Sequence, residues 1–344
     1  MNENLKSSPE RRGKILLIRI DRIGDLVLSL PLDESLTRLG YRPQWWISQG
    51  LSFITENARP PRPALEIKKK FELDECLRLL KILRQEKFSA AIIFHAPWWI
   101  AAILFLARVP LRVGPKSQWY SFIFFNRGIR QKRSLCEHSE LEYNFLLAEL
   151  GLGFGKGEIG RQFLKLSGRQ NFDLKKWSLE KQKYFVVHPG MGGSALNWPT
   201  RSYIDLIDQL ILRKEVVITG TETDRQFLIE IKKSFSTHPK VKFLDSQLSG
   251  DELIYVLQNS SGVLAPSTGV LHLAASTGVR TFGIYSPVKV QRPERWGPQG
   301  SQTKVFVPDV DCPGEFQCLK EACRRYNCIE TVEVHDILEA MLTP

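Results

Sequence analysis

Short apolar runs that end in glycine- or hydroxyl-rich turns and lead into helical patterns recur along most of this chain. In the first half, Lys14–Ile20, Gln44–Ser48, Ala90–Phe94 and Arg112–Gly114 read as strands, and Asp25–Leu39, Leu73–Gln85, Trp98–Arg108 and His138–Leu150 as helices. The second half restarts the rhythm with strands at Tyr184–Val187, Glu215–Thr219, Val241–Leu244, Gly262–Leu264 and Arg280–Tyr285. Its helices are expected over Thr200–Leu212, Asp224–Ser234, Asp251–Asn259 and Gly269–Thr277. Strands alternating with helices predict parallel α/β sheets, because parallel neighbours need a crossover connection.

A length of 344 residues points to two domains rather than one core. The polar, glycine-rich passage after Gly151 is the natural junction. The expected division is a basic tail over 1–13, a first Rossmann-like domain over 14–170, a linker over 171–183 and a second Rossmann-like domain over 184–344. Phe163–Leu166 reads as a last strand of the first half. Two α/β halves are expected to meet at a cleft, with ligands outside the carboxyl ends of the strands.

Apolar residues at 43% and charged residues at 25% are globular proportions. The net charge of +11 points to an anionic partner without naming it. The N-terminus carries no secretory pattern, which predicts a cytoplasmic protein. Ala90–Ala107 approaches transmembrane length, but His95 and Pro97 break it into a strand, a turn and a core helix. Four of the six cysteines, Cys312, Cys318, Cys323 and Cys328, crowd one segment without paired C-x2-C knuckles. No metal is expected from that spacing, and no cofactor from the chain as a whole.

Three places carry candidate chemistry. Gly24 opens a turn after the first strand and puts Asp25 in a first helical turn. There a carboxylate either serves as a general base or complements the helix dipole. The turn at Gly192, Gly193 and Ser194, and the turn at Ser267, Thr268, Gly269 and Val270, each aim backbone N–H groups at one spot, as an anion site requires. His272 lies one turn into the second of these helices, as a ligand-binding or a structural residue. The first half also interleaves Arg112, Lys116, Arg127, Arg130, Lys132 and Arg133 with Trp119, Tyr120 and 122–125. That is a patch for an anionic partner at a membrane face or a solvated basic face. Trp198 reads as a packing residue, and Pro199 as fitting the first turn of a helix.

Three ordered segments resemble glycosyltransferase family nine, the lipopolysaccharide heptosyltransferases. They are Lys14-Ile-Leu-Leu-Ile-Arg with Ile23-Gly-Asp-Leu-Val and Leu30-Pro31; His188-Pro-Gly-Met-Gly-Gly-Ser-Ala-Leu-Asn-Trp-Pro199; and Pro266-Ser-Thr-Gly-Val-Leu-His-Leu-Ala-Ala275 with Phe282-Gly-Ile-Tyr-Ser-Pro287. Weaker matches at Phe88–His95, Arg112–Gly114 and His138–Tyr143 extend the likeness over nearly the whole chain from Lys14.

The resemblance implies a GT-B fold, with an acceptor on the first domain and a nucleotide-diphosphate sugar on the second. It further implies inverting transfer without an obligatory metal, Asp25 as catalytic base, and donor contacts from the two turns and His272. Arg22, Arg112, Lys116 and Arg127 would face a phosphorylated glycolipid acceptor, with peripheral contact at the inner membrane and no nucleic acid. Two positions depart from the family pattern. Leu196 stands where many members carry Lys, and Ser267 where Asp is common; the two changes partly offset each other in charge, and Lys289, Arg292 and Arg295 are candidates for a replacement cation. The departures leave open a catalytically degenerate nucleotide-sugar-binding protein. A nucleotide-sugar epimerase on the same fold and a basic nucleic-acid-binding protein are the remaining alternatives.

Overall fold

The apolar runs fold as parallel strands in a computed structural model that describes residues 12–169, 172–191 and 196–343. Two compact units divide the chain. Among the described residues, one comprises 12–56, 60–132 and 140–164; the other comprises 57–59, 133–139 and those from 165 to 343.

The first unit holds a six-stranded sheet of β1 (Lys14–Arg19), β2 (Arg42–Ser48), β3 (Ala64–Ile67), β4 (Ala90–His95), β5 (Leu111–Pro115) and β6 (Arg127–Ile129), in the spatial order β3-β2-β1-β4-β5-β6. Every neighbour pair is parallel. The second unit repeats the plan with β7 (Tyr184–Val187), β8 (Glu215–Ile218), β9 (Val241–Phe243), β10 (Gly262–Pro266), β11 (Thr281–Ile284) and β12 (Thr303–Phe306), ordered β12-β11-β10-β7-β8-β9 and again all parallel. Numbered within its own unit, each sheet runs 3-2-1-4-5-6. Chain direction therefore switches between β1 and β4 in the first unit, and between β7 and β10 in the second.

The central strands are continuous apolar runs because helices cover both of their faces. Leu16, Ile18, Trp46, Ile93 and Ile100 belong to one core cluster, and Phe185, Val187, Tyr203, Ile218, Leu264 and Ile337 to another. The Ala90–Ala107 run splits into β4 and a helix, Trp98–Leu106, which buries Trp99, Ile100, Ala101, Ile103 and Leu104 and leaves Trp98, Phe105 and Leu106 exposed. Among the described residues, no helix is long and apolar enough to cross a membrane.

Several expectations need correction. Asp25–Leu39 is not one helix but two, Ile23–Val27 and Pro31–Arg38. Pro31 has no N–H to continue the ladder, so the chain turns through Leu28–Leu30 and restarts with Pro31 in a first turn. Phe163–Leu166 forms no strand; Leu166 makes an isolated antiparallel bridge with Ala58 within the second unit. Pro199 sits at the N-cap, one position before the Thr200–Leu210 helix. Trp198 is buried as expected, edge-on to Tyr203 at 5.0 Å between ring centroids, and its Nε1 donates to the Val332 carbonyl at 2.9 Å.

Candidate functional site

β1 ends at the switch point of the first sheet, where Arg19 pairs with His95 across an irregular register. Arg22 is the N-cap of the Ile23–Val27 helix, and Asp25 occupies its first turn, half-buried. Gly24 is buried between them, and the turn delivers the Asp25 carboxylate directly beyond the carboxyl end of β1.

Arg19 organises this turn. Its guanidinium is only 3% exposed and donates Nε to Asp21 Oδ1 at 2.9 Å and Nη2 to Asp25 Oδ1. Nη1 and Nη2 both reach Glu140 Oε1 at 3.3 Å, and Nη1 reaches Asn144 Oδ1 at 3.4 Å. Glu140 and Asn144 come from one face of the Glu140–Leu152 helix, four residues apart. Asn144 Nδ2 also donates to the Leu28 carbonyl at 3.2 Å and to Ser29 Oγ at 3.0 Å, while Ser29 Oγ donates to the Asp25 carbonyl at 2.8 Å. Three carboxylates thus share one buried cation. Burial, reinforced by the Asp25 and Glu140 charges and opposed by Arg19, pushes the Asp21 carboxyl up to about 7.

The expected acceptor residues have different surroundings. Arg22 and Arg127 are exposed. Lys116 lies over the Phe122 ring at 4.8 Å. Arg112 is engaged locally: Nε donates to the Phe124 carbonyl at 2.7 Å, Nη1 to the Val109 carbonyl, and its guanidinium covers Phe105. Beside Lys116, beyond the ends of β4 and β5, a cavity of about 300 Å³ is lined by His95, Pro97, Trp98, Ser117, Trp119 and Tyr120. Trp119, Phe122 and Ile123 stand exposed at its rim or on the adjoining turn.

In the second unit, His188 follows β7 and Ser267 follows β10, the two strands at the switch point. His188 Nδ1 is 3.0 Å from Thr219 Oγ1. Burial, opposed by Asp224, holds the ring down at about 4. Gly192, Gly193 and Ser194 lie outside the described residues. Thr268 is the N-cap of the Gly269–Thr277 helix, but its side chain makes no capping bond, and its buried Oγ1 has no hydrogen-bond partner among the described residues. Gly269 and Val270 open the helix, so its first N–H groups face outward from the end of the sheet. Gly278 terminates it at φ +80°, a backbone region suited to glycine. His272 is buried; its Nδ1 likewise lacks a partner among the described residues, and burial lowers its pKa to about 4. Two buried polar atoms without partners among the described residues, at a helix N-terminus, suit an anionic, oxygen-rich ligand.

The three residues considered as replacement cations are engaged nearby. Lys289 is 4.0 Å from Glu315, Arg292 Nε donates to the Pro287 carbonyl at 2.7 Å, and Arg295 packs over Trp296. The Tyr285 hydroxyl donates to the Trp296 carbonyl at 2.8 Å. Among the described residues, no three or more His, Cys, Asp or Glu side chains gather as a metal site, and all six cysteines are free thiols.

Sequence reading missed Arg19, Asp21, Glu140 and Asn144 as parts of the site. The Arg-x-Asp-x-x-x-Asp spacing of Arg19, Asp21 and Asp25 was visible, but nothing local indicated that a helix 121 residues later would complete it. After β8, Asp224 is buried and closes a capping box with Thr221, whereas Glu222 is exposed.

Comparison with known proteins matches residues 76–325 to the model for glycosyltransferase family 9 (heptosyltransferase). A Haemophilus influenzae protein assigned as a glycosyltransferase is 25% identical over 318 residues, covering 86% of this chain and 89% of its own. The solved E. coli ADP-heptose lps heptosyltransferase II superposes with a TM-score of 0.77 at 18% identity, covering 95% of this chain and 97% of that one. E. coli heptosyltransferase WaaC with ADP gives a TM-score of 0.69 at 17% identity, covering 94% and 97%. The fold of these structures is the pair of parallel α/β units described above.

Proposed function

The chain belongs to glycosyltransferase family 9, and on that premise we propose that it moves a heptose-like sugar from an ADP-linked donor to a lipopolysaccharide-core or related glycolipid acceptor. The observation that carries the proposal is the Asp25 carboxylate presented beyond β1 on a buried arginine hub. In this reading the first unit binds the acceptor and the second the donor.

Asp25 accepts the proton of the attacking hydroxyl as its oxygen bonds to the anomeric carbon. The carbon–oxygen bond to the diphosphate breaks in the same displacement, its electron pair stays with the leaving diphosphate, and the configuration inverts. The N-terminus of the Gly269–Thr277 helix, with Thr268 Oγ1 and His272 Nδ1, stabilises the departing charge by oriented dipoles. Gly192, Gly193 and Ser194 belong to the same proposed donor site by sequence. No step calls for a metal ion.

Arg22, Lys116 and Arg127 would meet acceptor phosphates, with Arg112 holding the turn that presents them. The exposed Trp119, Phe122 and Ile123 beside these cations support our reading of peripheral attachment to an anionic leaflet at the cytoplasmic face of the inner membrane.

The test is incubation of the purified protein with ADP-heptose and a lipid-linked core oligosaccharide, following ADP release and acceptor mass. Transfer by the wild type, with Asp25→Asn slowed about 100-fold or more, is the expected result. Leu196 and Ser267 keep the degenerate reading in play: ADP binding without turnover on any acceptor would favour it.

A further inference from the structure

Glu140 is fully buried, so its carboxylate cannot touch a substrate. It contacts the site through Arg19, whose Nη2 it shares with Asp25. A guanidinium bound to one carboxylate alone would strongly favour the ionised form and leave a weak base. Here the same cation also serves Asp21 and Glu140, so its hydrogen bonds and field are divided among three carboxyl groups. The arrangement also directs Asp25: Arg19 is gripped by Glu140 and Asn144, and Asn144 holds the Ser29 hydroxyl that bonds the Asp25 carbonyl. The other titratable side chains where β1 and β4 end, Arg22 and His95, are exposed.

We propose that Glu140 is a positioning residue for Asp25: by sharing Arg19 it fixes the direction of the carboxylate and preserves its strength as a base. The inference rests on the reading of Asp25 as the base.

It is tested by transfer rates against pH for the wild type, Glu140→Gln, Glu140→Asp and Asp25→Asn, each checked for folding by thermal melting. Glu140→Gln keeps the shape and removes one negative charge, so Asp25 should become the weaker base. The acid limb of its kcat profile is expected to move down by about one pH unit. Its plateau kcat should fall roughly ten-fold, with both KM values nearly unchanged. Glu140→Asp retains the charge and should return the limb toward the wild-type position.

A folded Glu140→Gln enzyme with the wild-type profile, altered only in melting temperature, would reduce Glu140 to a structural buttress and overturn the proposal. Should Glu140→Gln fail to fold, Arg19→Lys keeps the cation but cannot bridge Glu140 and Asp25 together. Its kcat should fall with both KM values nearly unchanged, and a folded variant with the wild-type kcat counts against the proposal equally. Wild-type rates in Asp25→Asn would instead remove the base reading itself. The two failures are therefore told apart by which variant keeps its rate.

Discussion

The Arg19 guanidinium at the end of β1 and the Glu140 carboxylate opening a helix 121 residues later meet at 3.3 Å, both shielded from solvent. A buried ion pair of this kind gains little over an apolar replacement of both partners, but breaking it strands the survivor. Arg19→Met would leave Asp21, Asp25 and Glu140 facing one another without a cation. Urea unfolding at pH 8 should show a loss of about 3 to 5 kcal/mol. Part of that loss should return as the pH is lowered and the stranded carboxylates take up protons.

Acid should destabilise the second unit through its histidines. His188 and His272 are both held near 4 in the folded chain, chiefly by burial, against an ordinary value of 6.5. Below pH 6.5 the unfolded chain binds protons that the native rings refuse, so stability is lost as pH falls from 6.5 through 4. The expected loss is roughly 2 to 3 kcal/mol for each ring. Replacing His272 with Phe should flatten the stability curve in that window, a change read from melting temperatures between pH 4 and 7.

Asp21 has the opposite sign. Its carboxyl is raised to about 7 from 3.8, so its contribution is fullest below 3.8 and is lost as pH rises through 7. Asp21→Asn should therefore raise the melting temperature more at pH 8 than at pH 5. An equal change at both would argue against a buried, reluctant carboxylate.

Gly190 leaves no room for a side chain. A Cβ built there would lie 2.0 Å from Asp224 Cγ and 2.2 Å from Asp224 Oδ1. Asp224 cannot simply swing aside, because its Oδ2 accepts from Thr221 N at 2.9 Å and Thr221 Oγ1 at 2.7 Å. Gly190→Ala should cost about 1 to 3 kcal/mol through overpacking. Nucleotide affinity should weaken as well if the turn after His188 belongs to the donor site, measured by calorimetry with ADP.

Thr268 separates stability from binding. Its buried Oγ1 has no partner among the described residues, so Thr268→Val should leave the melting temperature unchanged or raise it. The same change should weaken ADP binding by roughly five-fold, the scale of one hydrogen bond. A Thr268→Val protein that melts lower and binds ADP normally would assign the hydroxyl to the fold instead.

Most of the architecture was legible because burial writes itself into strands. β1, β4, β7 and β10 are covered on both faces, and each is a continuous apolar run in the sequence. The overlooked strands β3, β6 and β12 are all sheet edges of three or four residues. An edge strand is half solvated, needs no unbroken apolar run, and gives periodicity too few residues to register.

The site divides along the same line. Sequence by itself determined the parallel α/β plan, the Gly24-Asp25 turn at the first switch point and the Thr268-Gly269 helix start at the second. These are local consequences of where strands end and helices begin. Only the tertiary structure decided that Arg19 would be buried among Asp21, Asp25 and Glu140, with Asn144 linking that hub to Ser29. It also decided that Arg112 would be engaged by the carbonyls of Phe124 and Val109. The strength of a charge depends on its distance from other charges and from water, and both are set by segments far apart in the chain.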